Sequence, residues 1–152
     1  MKRICALAIG VASLALLLGA AAEKPVFTGL RLELFVSDVP KSLAFYRDVL
    51  GFEVERQEQD YVALRSGAAR IALNRADGLA KQHFFNPELQ QQRRGLGAEI
   101  VLEVDDIAAH FERAKASGHP ILSPLKKRPW GLTDYRVADP DGYYLRISSR
   151  EE

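Results

Sequence analysis

Arginine and glutamate recur at alternate positions in four short stretches of this 152-residue chain, and that spacing is where chemistry would reside. Arg31 and Glu33 alternate with Leu32, Leu34 and Val36. Arg70 and Asn74 flank Ile71 and Leu73. Glu99 and Glu103 bracket Ile100 to Leu102, and Tyr144 and Arg146 alternate with Leu145 and Ile147. Alternation of period two describes strands whose apolar side chains face one way and polar ones the other. One sheet face therefore presents Arg31, Arg70 and Arg146 with Glu33, Glu99 and Glu103, joined by Asn74 and Tyr144. A guanidinium fork holds a carboxylate or phosphate in bidentate fashion, and a glutamate can pair with it or bind a cation. Composition leaves two readings open: a wetted outer sheet face, or, if the sheet curls, the lining of a ligand cleft.

The elements that must position these residues form a repeat. A strand over Leu30–Val36 leads into Ser37-Asp38 and Pro40, a helix start, and Val39, Leu43, Tyr46 and Leu50 follow at helical spacing until Gly51. Strands are expected at Phe52–Gln57, Tyr61–Arg65 and Arg70–Asn74, with a turn at Ser66-Gly67. The second half has the same order: a strand at Glu99–Val104, a helix carrying Ile107, Phe111 and Ala114 to Gly118, then strands at Pro120–Ser123, Leu132–Ala138 and Tyr143–Ser148. Val36-Ser37-Asp38-Val39 is echoed by Val104-Asp105-Asp106-Ile107, 68 residues later. Strand, helix and three strands, twice, is an internal duplication. Between the halves, residues 76–96 lack a clean period and contain Phe84-Phe85-Asn86-Pro87. Asp139-Pro140-Asp141-Gly142 joins the last two strands as a turn whose role is conformational. Trp130, between Pro129 and Gly131, lies on a loop where it can stack on a ligand.

Lys2 and Arg3, an apolar run from Ile4 to Leu18 and Ala20-Ala21-Ala22 describe a cleavable signal peptide over residues 1–22, and a periplasmic or secreted mature chain over 23–152 with no membrane association. Cys5, the sole cysteine, falls inside that segment, which excludes disulfide and thiolate chemistry from the mature part. Without Lys2 and Arg3, 19 basic residues face 20 acidic ones. That balance argues against a nucleic-acid partner, and Lys126-Lys127-Arg128 reads as a solvated loop.

Phe35-Val36-Ser37-Asp38-Val39 with Ser42, Phe45-Tyr46 and Leu50-Gly51-Phe52, and then Val104-Asp105-Asp106, Gly118, Trp130-Gly131 and Val137 to Tyr143, together resemble the vicinal-oxygen-chelate superfamily, the glyoxalase/bleomycin-resistance/dioxygenase group. The resemblance implies an α+β fold of two tandem βαβββ modules, about residues 30–75 and 98–149, with curled mixed sheets forming a cleft. It implies a homodimer, and it favours a lined pocket over a wetted face. Catalytic members bind a divalent metal at four strand positions, which fall here on Arg31, Ala72, Glu99 and Arg146. Only Glu99 has a donor to offer, since arginine has no usable lone pair and alanine has no donor group. The three histidines, His83, His110 and His119, have no ligand spacing between them. The expectation is a metal-independent small-molecule-binding protein without a cofactor, its ligand anionic or aromatic, with Arg31 and Arg146 flanking Glu99 where a metal would sit. The alternative is a divalent-metal-dependent lyase, isomerase or dioxygenase built on Glu99 with Glu33 or Glu103 and His83.

Overall fold

The computed structural model describes residues 27–85 and 94–150. The expected signal peptide and part of the 76–96 segment, including Asn86-Pro87, lie outside these residues. Among the described residues no helix is long and apolar enough to cross a membrane.

The first module runs β1 (Leu32–Val36), α1 (Val39–Ala44), a π-helical turn (Phe45–Val49), β2 (Glu53–Gln57), β3 (Tyr61–Ser66) and β4 (Ala69–Arg75). The second runs β5 (Ile100–Val104), α2 (Ile107–Ala116), β6 (Ser123–Lys127), β7 (Thr133–Ala138) and β8 (Tyr144–Ser149). Asp38 caps α1 by accepting from the Lys41 amide, and Asp106 caps α2 through the Ala109 amide. The helical spacing from Val39 to Leu50 is realised in two pieces. After Ala44 the chain widens to an i to i+5 bond, Leu50 N–H to the Phe45 carbonyl, and Gly51 closes the element at φ 78°.

Each module forms a four-stranded mixed sheet, ordered β1-β4-β3-β2 and β5-β8-β7-β6, with the first pair in each parallel. The expected α+β duplication is present, but the sheets stay open: no strand of one pairs with a strand of the other, and neither closes round a cleft. The second strand of the second module also differs from the expectation at Pro120–Ser123. It runs from Ser123 to Lys127, set by its pairing with Arg136, Asp134 and Thr133 of β7, and it carries an irregularity between Ser123 and Lys126.

The apolar faces of both sheets merge into one core. Leu34, Val36, Leu64, Ile71 and Leu73 join Tyr135, Val137, Leu145 and Ile147 through Phe45, Tyr46 and Phe52. Burial of these side chains drives the association of the modules. Because the shared core takes the apolar faces, the polar faces point away from it.

The Asp139-to-Gly142 turn fastens the modules together. Asp139 Oδ1 accepts from the Asp141 and Tyr143 amides at 2.9 Å each, and Oδ2 accepts from the Tyr46 hydroxyl at 3.2 Å. Asp141 accepts from the Ser37 amide at 2.9 Å and lies 3.4 Å from Arg94. Tyr143 and Arg94 both donate to the Phe35 carbonyl at the end of β1. Burial pushes the Asp139 carboxyl above the usual carboxylate range and raises the Tyr46 hydroxyl as well.

Candidate functional site

Register places the polar residues in rows. On the first sheet, Glu33 lies beside Ala72, which pairs with Ala63, and Phe35 lies beside Asn74, which pairs with Tyr61. On the second, Val101 lies beside Arg146, Arg136 and Ser123, and Glu103 beside Ser148, Asp134 and Lys126. The alternation therefore assigned faces correctly, and each module brings its own polar residues together.

The first sheet's polar face is lightly paired. Asn74 donates to Glu33 at 2.9 Å. Arg31 and Arg70 are exposed and have no hydrogen-bond or ionic partner among the described residues. Ala72 is fully buried, its methyl group filling the position between Glu33 and Ala63. His83 stacks edge-on to Phe35 at 5.4 Å and accepts the Phe85 amide, so this aromatic cluster covers the end of β1.

The second sheet's polar face carries a dense ionic cluster. Asp134, the second residue of β7, is fully buried there. Its Oδ1 accepts from Arg128 Nε at 2.7 Å and lies 3.5 Å from Arg136 Nε. Arg128 also donates to Ser123 Oγ at 3.0 Å, and its side chain is 8% exposed, so the last residue of the basic triplet is a structural cation and not the solvated loop residue expected. Arg136 donates to the Tyr144 hydroxyl at 3.0 Å, and Arg146 lies 3.5 Å from Glu99. Buried polar atoms ordinarily find partners. Here Arg136 Nε, Arg146 Nε and Asp134 Oδ2 have none in hydrogen-bond geometry.

Of the expected site residues, Glu99, Tyr144 and Arg146 belong to this cluster. Glu103 is exposed at its edge, and Trp130 is 54% exposed on the turn between Arg128 and Leu132. Arg31, Glu33, Arg70 and Asn74 lie on the other sheet. Arg31 therefore does not flank Glu99 within this chain, and the expected Arg31–Glu99–Arg146 network is reduced to the Arg146–Glu99 pair. Arg128, Asp134 and Arg136 were not anticipated, although Asp134 and Arg136 alternate with the apolar Tyr135 and Val137 and could have been placed by the same rule.

A cavity of about 280 Å³ adjoins the cluster, lined by residues 94–98, Gly142 and Tyr144. A second, of about 380 Å³, lies between Gly51 and Gly67 at the far end of β2 and β3. Neither combines the two polar faces.

The residues at the four strand positions do not suit a divalent ion: two are guanidiniums, Ala72 has no donor, and Glu99 is engaged by Arg146. His110 is bonded to Tyr135 and the Leu50 carbonyl, and His119 to the Ala138 carbonyl. Among the described residues no group of three or more His, Asp or Glu is placed to share a metal.

Two βαβββ modules with polar sheet faces turned outward from a common core define the class of protein. Residues 30–147 match the model of the Glyoxalase/Bleomycin resistance protein/Dioxygenase superfamily, and the chain belongs to that family. It is similar to a bleomycin resistance protein of Geobacillus stearothermophilus, 31% identical over 112 residues, which are 70% of this chain and 84% of the relative. It is also similar to a lactoylglutathione lyase of Neisseria meningitidis, 29% identical over 119 residues, 76% of this chain and 86% of that one. Among solved structures, that of TioX from Micromonospora sp. ML1 superposes with a TM-score of 0.66 at 22% identity, covering 82% of this chain and all of the other, a likeness of fold.

Proposed function

We propose that the mature protein is a metal-independent small-molecule-binding protein of the periplasm that captures an anionic or aromatic ligand, as a homodimer, on its polar sheet faces. The observation that carries this reading is the surplus of guanidinium on those faces. Arg31 and Arg70 have no partner among the described residues, and Arg136 Nε and Arg146 Nε, each 3.5 Å from a carboxylate, make no hydrogen bond to it. Such groups favour carboxylate or phosphate ligands in a partly desolvated site. Ligand aromatic rings have Trp130 and Tyr144 as stacking surfaces. The similarity to bleomycin resistance proteins agrees with binding as the function.

The similarity to a lactoylglutathione lyase keeps one alternative, a metal-dependent lyase, isomerase or dioxygenase using Glu99. One experiment separates the two. The mature protein, purified without affinity metal, is titrated with a panel of aromatic carboxylates, phosphates and planar heteroaromatics, before and after exhaustive chelation. Binding that is unchanged by chelation is expected. Silence across the whole panel would overturn the binding reading, and turnover or binding restored only by added metal would establish the alternative.

A further inference from the structure

The ionic cluster of the second sheet is more particular than a general anion trap. Three guanidiniums, Arg128, Arg136 and Arg146, face two carboxylates, Asp134 and Glu99. The other charges on this face, Glu103 and Lys126 at its edge, are exposed and of opposite sign, and they leave that balance unchanged. The cluster therefore holds one positive charge in excess. Burial makes an imbalance matter, since charge interactions strengthen as water is excluded. Arg136 and Arg146 are register partners on adjacent strands; the Nε of each lies 3.5 Å from a carboxylate of the cluster without a hydrogen bond to it, and their side chains are 25% and 22% exposed. The adjoining cavity of about 280 Å³ ends on Tyr144, the same residue that accepts from Arg136, and it borders Ala98 next to Glu99.

Resting on the small-molecule reading above, we infer that this cluster is a site for a monoanionic carboxylate with a single-ring aromatic body, its carboxylate held by Arg136 and Arg146 and its ring in the cavity beside Tyr144. Asp134 is fully buried and acts through the guanidiniums as a positioning residue. By neutralising Arg128 it sets the excess at one, which suits a carboxylate and leaves a phosphate dianion over-charged. Removing that single buried charge would raise the excess to two and turn the preference round.

The test uses the mature full-length chain and two probes of similar body, benzoate and phenyl phosphate, followed by calorimetry and by the fluorescence of Trp130, the sole tryptophan. At pH 8 benzoate is expected to bind at least about tenfold more tightly than phenyl phosphate, a difference of about 1.4 kcal/mol. At pH 5, below the second phosphate ionisation near 6, the gap should narrow. Asp134→Asn should reverse the preference, whereas a purely structural Asp134 would weaken both probes alike. Arg136→Gln should weaken benzoate binding at least about tenfold. If Asp134→Asn does not fold, the wild-type selectivity and its pH dependence decide. Equal or tighter binding of phenyl phosphate at pH 8 would overturn the inference. So would failure of both probes while other members of the wider panel bind, a result that leaves the binding reading intact. Failure of the wider panel as well would sink both.

Discussion

Tyr46 shows how one hydroxyl ties the two modules. It is fully buried and donates to Asp139 Oδ2, while Asp139 Oδ1 already serves two backbone amides of the turn. Tyr46→Phe keeps the ring and leaves a buried carboxylate oxygen without its donor. The expected cost is about 1–3 kcal/mol in unfolding free energy, read from a urea titration. A change below a few tenths would mean that water replaces the hydroxyl. At this scale the sequence was informative where a residue obeyed strand alternation: Glu33, Asn74, Tyr144 and Arg146 all took the expected face, while Glu99 falls just before β5. It was silent on pairing, because alternation fixes a face and leaves open which neighbour completes it. Asp134 could be placed on the polar face, but nothing local announced that a carboxylate there would be fully buried under two arginines from different elements.

At the scale of elements, His110 couples α2 to both its own sheet and the first module. Its Nε2 donates to the Leu50 carbonyl at 3.1 Å, which makes Nδ1 the acceptor for the Tyr135 hydroxyl at 2.7 Å. Burial, first, and the nearby Arg113 hold its pKa below the ordinary 6.5. The unfolded chain therefore takes up a proton that the folded chain resists. Stability from this group is complete above about pH 6.5, declines as pH falls towards the lowered native value, and is flat below that. Asp139 acts in the opposite sense at lower pH. Its raised native pKa adds stability that is complete below about 3.9 and is lost as pH rises through the native value. Urea midpoints measured from pH 7.5 to 5 should fall for the wild type and fall less steeply for His110→Asn. Parallel curves would remove His110 from the account. The helix ends and most strands were legible, since Asp38, Asp106, Gly51 and Gly118 mark boundaries by local chemistry. The second strand of the second module was not, because pairing with Arg136 of β7 placed its start at Ser123 by tertiary register.

For the whole molecule, the merging of two apolar faces into one core decides where a ligand can go. The resemblance implied sheets wrapped round a cleft, whereas this chain turns its polar faces outward and closes neither. Periodicity reports which side of a strand is apolar, and it carries no information on whether two such sides meet within one chain or between two. That gap bears directly on assembly. Val101 is 41% exposed in the row of Arg146 and Arg136, and Trp130 and Leu122 are exposed near the other edge of the same sheet. Apolar groups beside a partly dehydrated ionic cluster are better explained by a covering surface than by open water. In the proposed homodimer a second copy would offer the first sheet's polar face as the opposite wall, with Arg31 and Arg70, which have no partner among the described residues. Sedimentation velocity over a hundredfold dilution should then show a dimer that dissociates, and Val101→Lys should shift the equilibrium towards monomer while leaving the fold's circular dichroism unchanged. Trp130 emission should move to longer wavelength over the same dilution as its indole is wetted. A monomer at every concentration, with ligand binding retained, would confine the site to the cluster on the second sheet and remove Arg31 and Arg70 from it.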